Sequence, residues 1–151
     1  YEIRYYSDRL VVQVINSSDD NSFRKLFNYI SGDNKTSEEI KMTVPVTQTI
    51  KDNETYMQFY LPSKFTKETI PTPSNPDIEI TTIKEGYFAA IKYSGRSSDK
   101  NFIKYSKTLY QKLLEDKILT KGTAIKATYN GPFTLPPFRR NEAMFKVDWK
   151  N

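Results

Sequence analysis

No cysteine and no histidine occur among the 151 residues. The first absence excludes disulfides, thiolate chemistry and cysteine-based zinc sites. The second excludes a Ser-His-Asp triad, a histidine-zinc centre and any imidazole ligation of iron. Glycine is scarce, at five residues, and no Gly-rich phosphate loop appears. The apolar runs are only a few residues long, so no segment reads as a membrane-spanning helix. Lys and Arg exceed Asp and Glu by 23 to 18, giving +5. The lysines are scattered, with no basic run and no basic helix face, so the excess reads as an ordinary surface and not as a nucleic-acid footprint. Asp99, Glu115 and Asp116 fall near the ends of a predicted helix. The first is expected to cap it or face its dipole, and none forms a catalytic pair.

What the chain does have is aromatic side chains, 14% of residues, with 11 Tyr and 9 Phe, beside 27% charged residues. That is a soluble surface over an aromatic-rich interior, not a disordered chain. The length suits one domain, 1–151, with a real core. The chain starts at Tyr1, inside what reads as a first strand, so an N-terminal segment is expected to have been removed together with any targeting signal. A cytoplasmic monomer is the expectation, with a processed secreted or periplasmic chain as the alternative.

Two similar halves follow each other along the chain. Glu2 to Tyr6 and Arg9 to Ile15 read as a hairpin turning at Ser7-Asp8. Phe23, Leu26, Phe27 and Ile30, spaced i, i+3, i+4, i+7, form one face of a helix, with Asp19-Asp20 before it and Gly32 as its stop. Ile40 to Thr49 and Thr55 to Leu61 make a second strand pair, and Pro62 to Pro76 is a Pro-rich linker. The order then repeats. Ile78 to Ile83 and Tyr87 to Ser94 read as a hairpin turning at Lys84-Glu85-Gly86. Ser97-Ser98-Asp99 can cap a helix with Phe102, Ile103, Ser106, Leu109, Tyr110 and Leu113 on one stripe, and two more strands follow. The pattern is ββαββ twice. Each helix has one apolar face and must lie on a sheet. The expected fold is α+β: a distorted eight-stranded β-barrel from two ββαββ halves, with both helices packed outside.

The stretch Lys126 to Val147, KATYNGPFTLPPFRRNEAMFKV, carries the most functional information. Asn130-Gly131-Pro132 ends a strand, and Pro132, Pro136 and Pro137 stiffen a loop bearing Phe133, Leu135 and Phe138. A loop with that much apolar surface is expected to cover something. Arg139 and Arg140 close it. Their planar forks match carboxylates, so the loop suits a flat apolar ligand with acidic groups. If both arginines are extended, they point to opposite faces and only one serves a given ligand. Glu142 lies on the side of Arg140 and is an expected internal partner, bracing the loop. Trp149 reads as the end of a buried strand.

This segment resembles the C-terminal signature of the SOUL family of haem-binding proteins, a Pro-rich loop followed by Arg-Arg-Asn-Glu. Three other stretches support the resemblance in the right order: KMTVPV at Lys41 to Val46, FYLPSKF at Phe59 to Phe65 followed by PTPSNPDIEI, and YFAAIKYSG at Tyr87 to Gly95. The resemblance spans nearly the whole chain and implies non-covalent binding of haem or another tetrapyrrole by apolar contacts and cation–propionate pairs. It places the rim of the first helix beside the ligand, which makes Leu26, Tyr29 and Ile30 site candidates. Met42 falls on the apolar side of its expected strand, as packing, porphyrin contact or a thioether ligand. Lys41, Arg139 and Arg140, and further off Lys64, are the propionate candidates. Phe133, Leu135 and Phe138 complete the expected set, with an open groove between the helix and this loop. Without histidine, an iron ligand must come from Tyr, Met, Lys, a backbone group or water. Two other readings stay open: an effector-binding module in which Glu142 meets a cationic ligand, and an enzyme that modifies tetrapyrroles.

Overall fold

The computed structural model describes residues 1–16, 21–130 and 136–150. They form β1 (Glu2–Tyr6), β2 (Arg9–Asn16), α1 (Ser22–Ile30), β3 (Val46–Lys51), β4 (Glu54–Tyr60), β5 (Ile78–Ile83), β6 (Gly86–Tyr93), α2 (Asp99–Glu115), β7 (Leu119–Thr128) and β8 (Asn141–Asp148), with a 3-10 turn at Pro136–Phe138. The described strand pairs are all antiparallel. The α+β class, the eight strands and the position of each helix after two strands are those the sequence implies. The backbone divides into two compact units, Asp8–Lys84 and Tyr1–Ser7 with Glu85–Asn151.

The two hairpins expected at Ser7-Asp8 and Lys84-Glu85-Gly86 do not form. β1 pairs with β6, Tyr6 lying opposite Gly86, and β2 pairs with β5, Arg9 lying opposite Ile83. The first strand of each sequence half is thus built into the other half. The β3–β4 hairpin shows the contrast. A two-residue hairpin of type I′ needs both central residues at positive φ. Asp52 and Asn53 supply this at φ 54° and 63° and close β3 onto β4. Ser7, Asp8, Lys84 and Glu85 are not among the positive-φ residues, and Gly86 belongs to a strand.

In the unit Asp8–Lys84 the strand order is β3-β4-β2-β5, and α1 packs on β2 and β4. Helical periodicity buries Leu26, Tyr29 and Ile30 against Val12, Val14, Phe59 and Ile78. Gly32, at φ 119°, follows the helix end, a backbone conformation strained for other residues. The acidic Asp19-Asp20 lies outside the described residues.

In the other unit the order is β1-β6-β8-β7, with α2 on β6, β7 and β8. Ser98 caps α2, its hydroxyl accepting from the Asn101 amide at 3.2 Å, with Asp99 in the first turn. Leu109 and Leu113 meet Ala89, Phe145 and Val147 in the core. Ile103 and Tyr110, at the margin of the expected stripe, are exposed.

Candidate functional site

On α1, the three expected site residues are interior. Leu26 and Tyr29 have no exposed surface and Ile30 has 5%. The Tyr29 hydroxyl donates to the Pro71 carbonyl at 2.6 Å, and burial pushes its pKa up to about 12. The open edge belongs instead to Phe23 and Phe27, which are 44% and 47% exposed. Spaced i, i+4, they lie on one helix face. Their rings stack with centroids 6.1 Å apart and planes 12° apart. Phe23 also meets the buried Phe59 edge-on at 5.2 Å, which ties the open pair to the core.

The segment after α1 departs from expectation. The strand anticipated from Ile40 begins only at Val46, so alternation does not decide where Met42 points. A cis peptide joins Val44 to Pro45. Ile40 is buried and its amide donates to the Ile30 carbonyl at 2.7 Å, which anchors the segment to the end of α1. Just beyond that anchor, Lys41 is exposed, Met42 is 39% exposed and Val44 is 61% exposed.

The strongest electrostatic feature lies in the other unit. The side chain of Glu142, on β8, is fully buried. Arg4, on β1, donates to both of its oxygens, Nη1 to Oε1 at 2.7 Å and Nη2 to Oε2 at 2.6 Å. The Tyr129 hydroxyl donates to Oε1 at 2.6 Å, and Arg140 Nη2 donates to Oε2 at 3.0 Å. Arg4 also bonds Glu2 and, at 3.2 Å, the Tyr6 hydroxyl. The Arg140 guanidinium sits 4.1 Å from the Tyr129 ring centroid. Burial alone raises the pKa of Glu142, but hydrogen bonds from Arg4, Tyr129 and Arg140 outweigh it and hold the group at about 2. Burial and the bond to Glu142 push Tyr129 up.

The expected Arg140–Glu142 pair is therefore present, but Arg4 is the principal partner. Sequence reasoning missed it because the two residues are 138 positions apart. One signal was available: Glu142, a lone acid beside the apolar run Ala143 to Phe145 of β8, requires a cation partner if buried.

Phe133 and Leu135, and with them the expected groove, lie outside the described residues. Phe138 is 75% exposed. Arg139 is half-buried and lines an open cavity of about 450 Å³ with Arg96, Ser97 and Ser98. Arg139 and Arg140 thus serve different surroundings, as their adjacency requires. Lys64 is 5.0 Å from the Phe65 ring centroid. Trp149 follows the end of β8 and is 37% exposed, so it does not end a buried strand. Among the described residues, no group of three acidic side chains could hold a metal ion, and no helix is long and apolar enough to cross a membrane.

A family model described as SOUL heme-binding protein matches residues 1–146. The curated relatives include heme-binding protein 2 of Mus musculus, 30% identical over 149 residues, covering 89% of this chain and 72% of the relative. Heme-binding protein 2 of Homo sapiens is 30% identical over 161 residues, covering 97% and 77%. Among solved structures, the EcmrR C-terminal domain superposes with a TM-score of 0.71 at 13% identity, covering 97% of this chain and 96% of that one. A hydrolase from Listeria innocua gives 0.70 at 9% identity, covering 97% and 91%. SAV2435, solved with tetraphenylphosphonium bound, gives 0.57 at 8% identity, covering 98% and 93%. At these identities the three structures share the fold.

Proposed function

This chain belongs to the SOUL heme-binding protein family, and from that membership we propose that it binds haem or a closely related tetrapyrrole without covalent attachment. The 151 residues are taken as one binding domain. The observation that carries the reading is the open, stacked pair Phe23–Phe27 on α1. Two rings held nearly parallel offer a flat apolar surface, and covering such surface gains about 25 cal/mol per Å². Leu26, Tyr29 and Ile30 act behind this pair, fixing the helix that presents it. Lys41 is the cation and Met42 the soft side chain that directly follow Ile40, the residue anchored to the end of α1. Met42 meets the porphyrin or ligates iron through its thioether. Phe133, Leu135 and Phe138 are proposed as further apolar contacts.

Of the two adjacent arginines, Arg139 is the proposed propionate partner, because it lines an open cavity beside Arg96, Ser97 and Ser98. Arg139→Ala is expected to weaken haemin by about 1.5–3 kcal/mol, the range for a hydrogen bond to a charged group. Haemin with esterified propionates should bind parent and variant alike. Equal affinity of the variant for unmodified haemin removes Arg139 from the site.

The absence of histidine sets a pH expectation. No unperturbed side-chain pKa falls between about pH 5 and 8. Haemin affinity should therefore be flat across that window, apart from the titration of haemin itself. A loss centred near pH 6.5 that free haemin does not show contradicts this.

The effector-module reading draws on the SAV2435 neighbour and its lipophilic cation. Glu142 was its candidate counter-ion. Four hydrogen bonds from Arg4, Tyr129 and Arg140 already fill that carboxylate, so no observation here favours the reading. Parallel titrations separate the classes. Tighter binding of tetraphenylphosphonium than of haemin supports the effector module, and conversion of haemin to a product supports an enzyme.

A further inference from the structure

A second cavity, of about 380 Å³, lies between α2 and β8, lined by Ser106, Lys107, Tyr110, Gln111 and Phe145. Its volume is that of a small-molecule site. Phe145 and Ser106 form a nearly closed floor, 7% and 8% exposed. The Tyr110 ring leans against Phe145, centroids 5.9 Å apart at 52°, and makes an aromatic wall. The proton of the Ser106 hydroxyl is committed to the Phe102 carbonyl at 2.7 Å. Lys107, Gln111 and the Tyr110 hydroxyl are therefore the polar groups that a ligand can address.

Lys107 is the charged side chain among the residues that line this cavity. Lys107 is exposed and has no ion-pair partner among the described residues. Lys100 and Lys104 are exposed on the same helix. Of the acids of α2, Asp99 is paired with Lys126 at 3.2 Å, and the exposed Glu115 lies one turn beyond Gln111, in the direction away from Lys107. The apolar surface continues along the helix through Ile103 and Leu114, 51% and 49% exposed, at i, i+11 with Lys107 and Tyr110 between them.

We propose that this cavity binds a small amphiphilic anion, an aryl carboxylate, with its ring against Tyr110 and Phe145 and its carboxylate on Lys107 Nζ. The charge complementarity selects the anion, and the aromatic wall selects a flat apolar body. The proposal is independent of the haem reading, whose stacked Phe pair belongs to the other unit.

The test titrates the full chain with 2-naphthoate and with its neutral analogue 2-naphthalenemethanol, followed by NMR. The carboxylate should bind about fivefold more tightly than the alcohol, the upper end of what an exposed ion pair contributes. Lys107→Glu should abolish that preference or invert it. Gln111→Trp should fill the cavity and weaken both probes. Phe27→Ala should change neither. Both positions are exposed, so the folded state tolerates the variants, and amide spectra verify it. Equal affinities of acid and alcohol, or unchanged binding in both cavity variants, overturn the proposal. So does a loss in Phe27→Ala alone. Anionic vesicles form a separate arm. If Lys107→Glu weakens vesicle binding while 2-naphthoate does not bind the parent, the face is a membrane contact and the small-anion assignment falls.

Discussion

Glu142→Ala is expected to destabilise the protein by about 3–5 kcal/mol, the cost of breaking a buried ion pair by removing one partner. Its carboxylate accepts four hydrogen bonds and has no solvent-exposed surface. Without it, Arg4 keeps a guanidinium whose side chain is only 16% exposed, and Tyr129 loses the acceptor of its hydroxyl. That residual exposure lets water reach Arg4 and places the loss near the lower end of the range. A paired replacement, Arg4→Met with Glu142→Leu, should cost much less, since no orphaned charge remains. Denaturant melts of the parent and the two variants check this. Equal losses in the single and the double variant contradict the pair's electrostatic role.

The same carboxylate sets an acid limb. Its folded pKa, about 2, lies below its ordinary carboxylate value. A depressed folded pKa contributes stability that is fully present above the unfolded value of about 4.3. That contribution is lost as pH falls from there through about 2. Parent stability should drop across this window by more than that of the double variant.

The second large effect concerns the open ring pair. Phe23→Ala and Phe27→Ala together are expected to weaken haemin by about 2–4 kcal/mol, counting about 40–80 Å² of newly covered surface per ring. Their stability cost should be smaller, because each ring is nearly half exposed. Leu26→Ala supplies the contrast. It is fully buried, so it should lose about 2–5 kcal/mol of stability. Its affinity per folded molecule should stay near the parent's. If Leu26→Ala and the Phe pair show the same ratio of affinity loss to stability loss, α1 is core throughout.

Much of the fold was legible because periodicity is local. The i, i+3, i+4, i+7 spacing of Phe23 to Ile30 gave the first helix, and two ββαββ runs gave the strand count. What periodicity does not give is which margin of a stripe the sheet covers. Phe23 and Phe27 share a stripe with Leu26 and Ile30, and only the placement of β2 and β4 leaves the Phe side open. The exchange of β1 and β5 was hidden for a related reason: adjacency in sequence favours a hairpin, whereas the pairings β1–β6 and β2–β5 are set by residues far apart in the chain, Tyr6 with Gly86 and Arg9 with Ile83. At the site, the Arg140–Glu142 pair follows from the two-residue strand period, whereas Arg4 arrives from the far end of the chain. Alternation misled at Met42, since the backbone from Lys41 to Pro45 is not a strand.

The most direct measurement is an absorbance titration of the unaltered chain with haemin and, in parallel, with metal-free protoporphyrin. The expected result is saturable binding of both, of similar strength, because the ring face and propionates carry the affinity and no histidine is present to hold iron. Failure of both to saturate contradicts the proposed function.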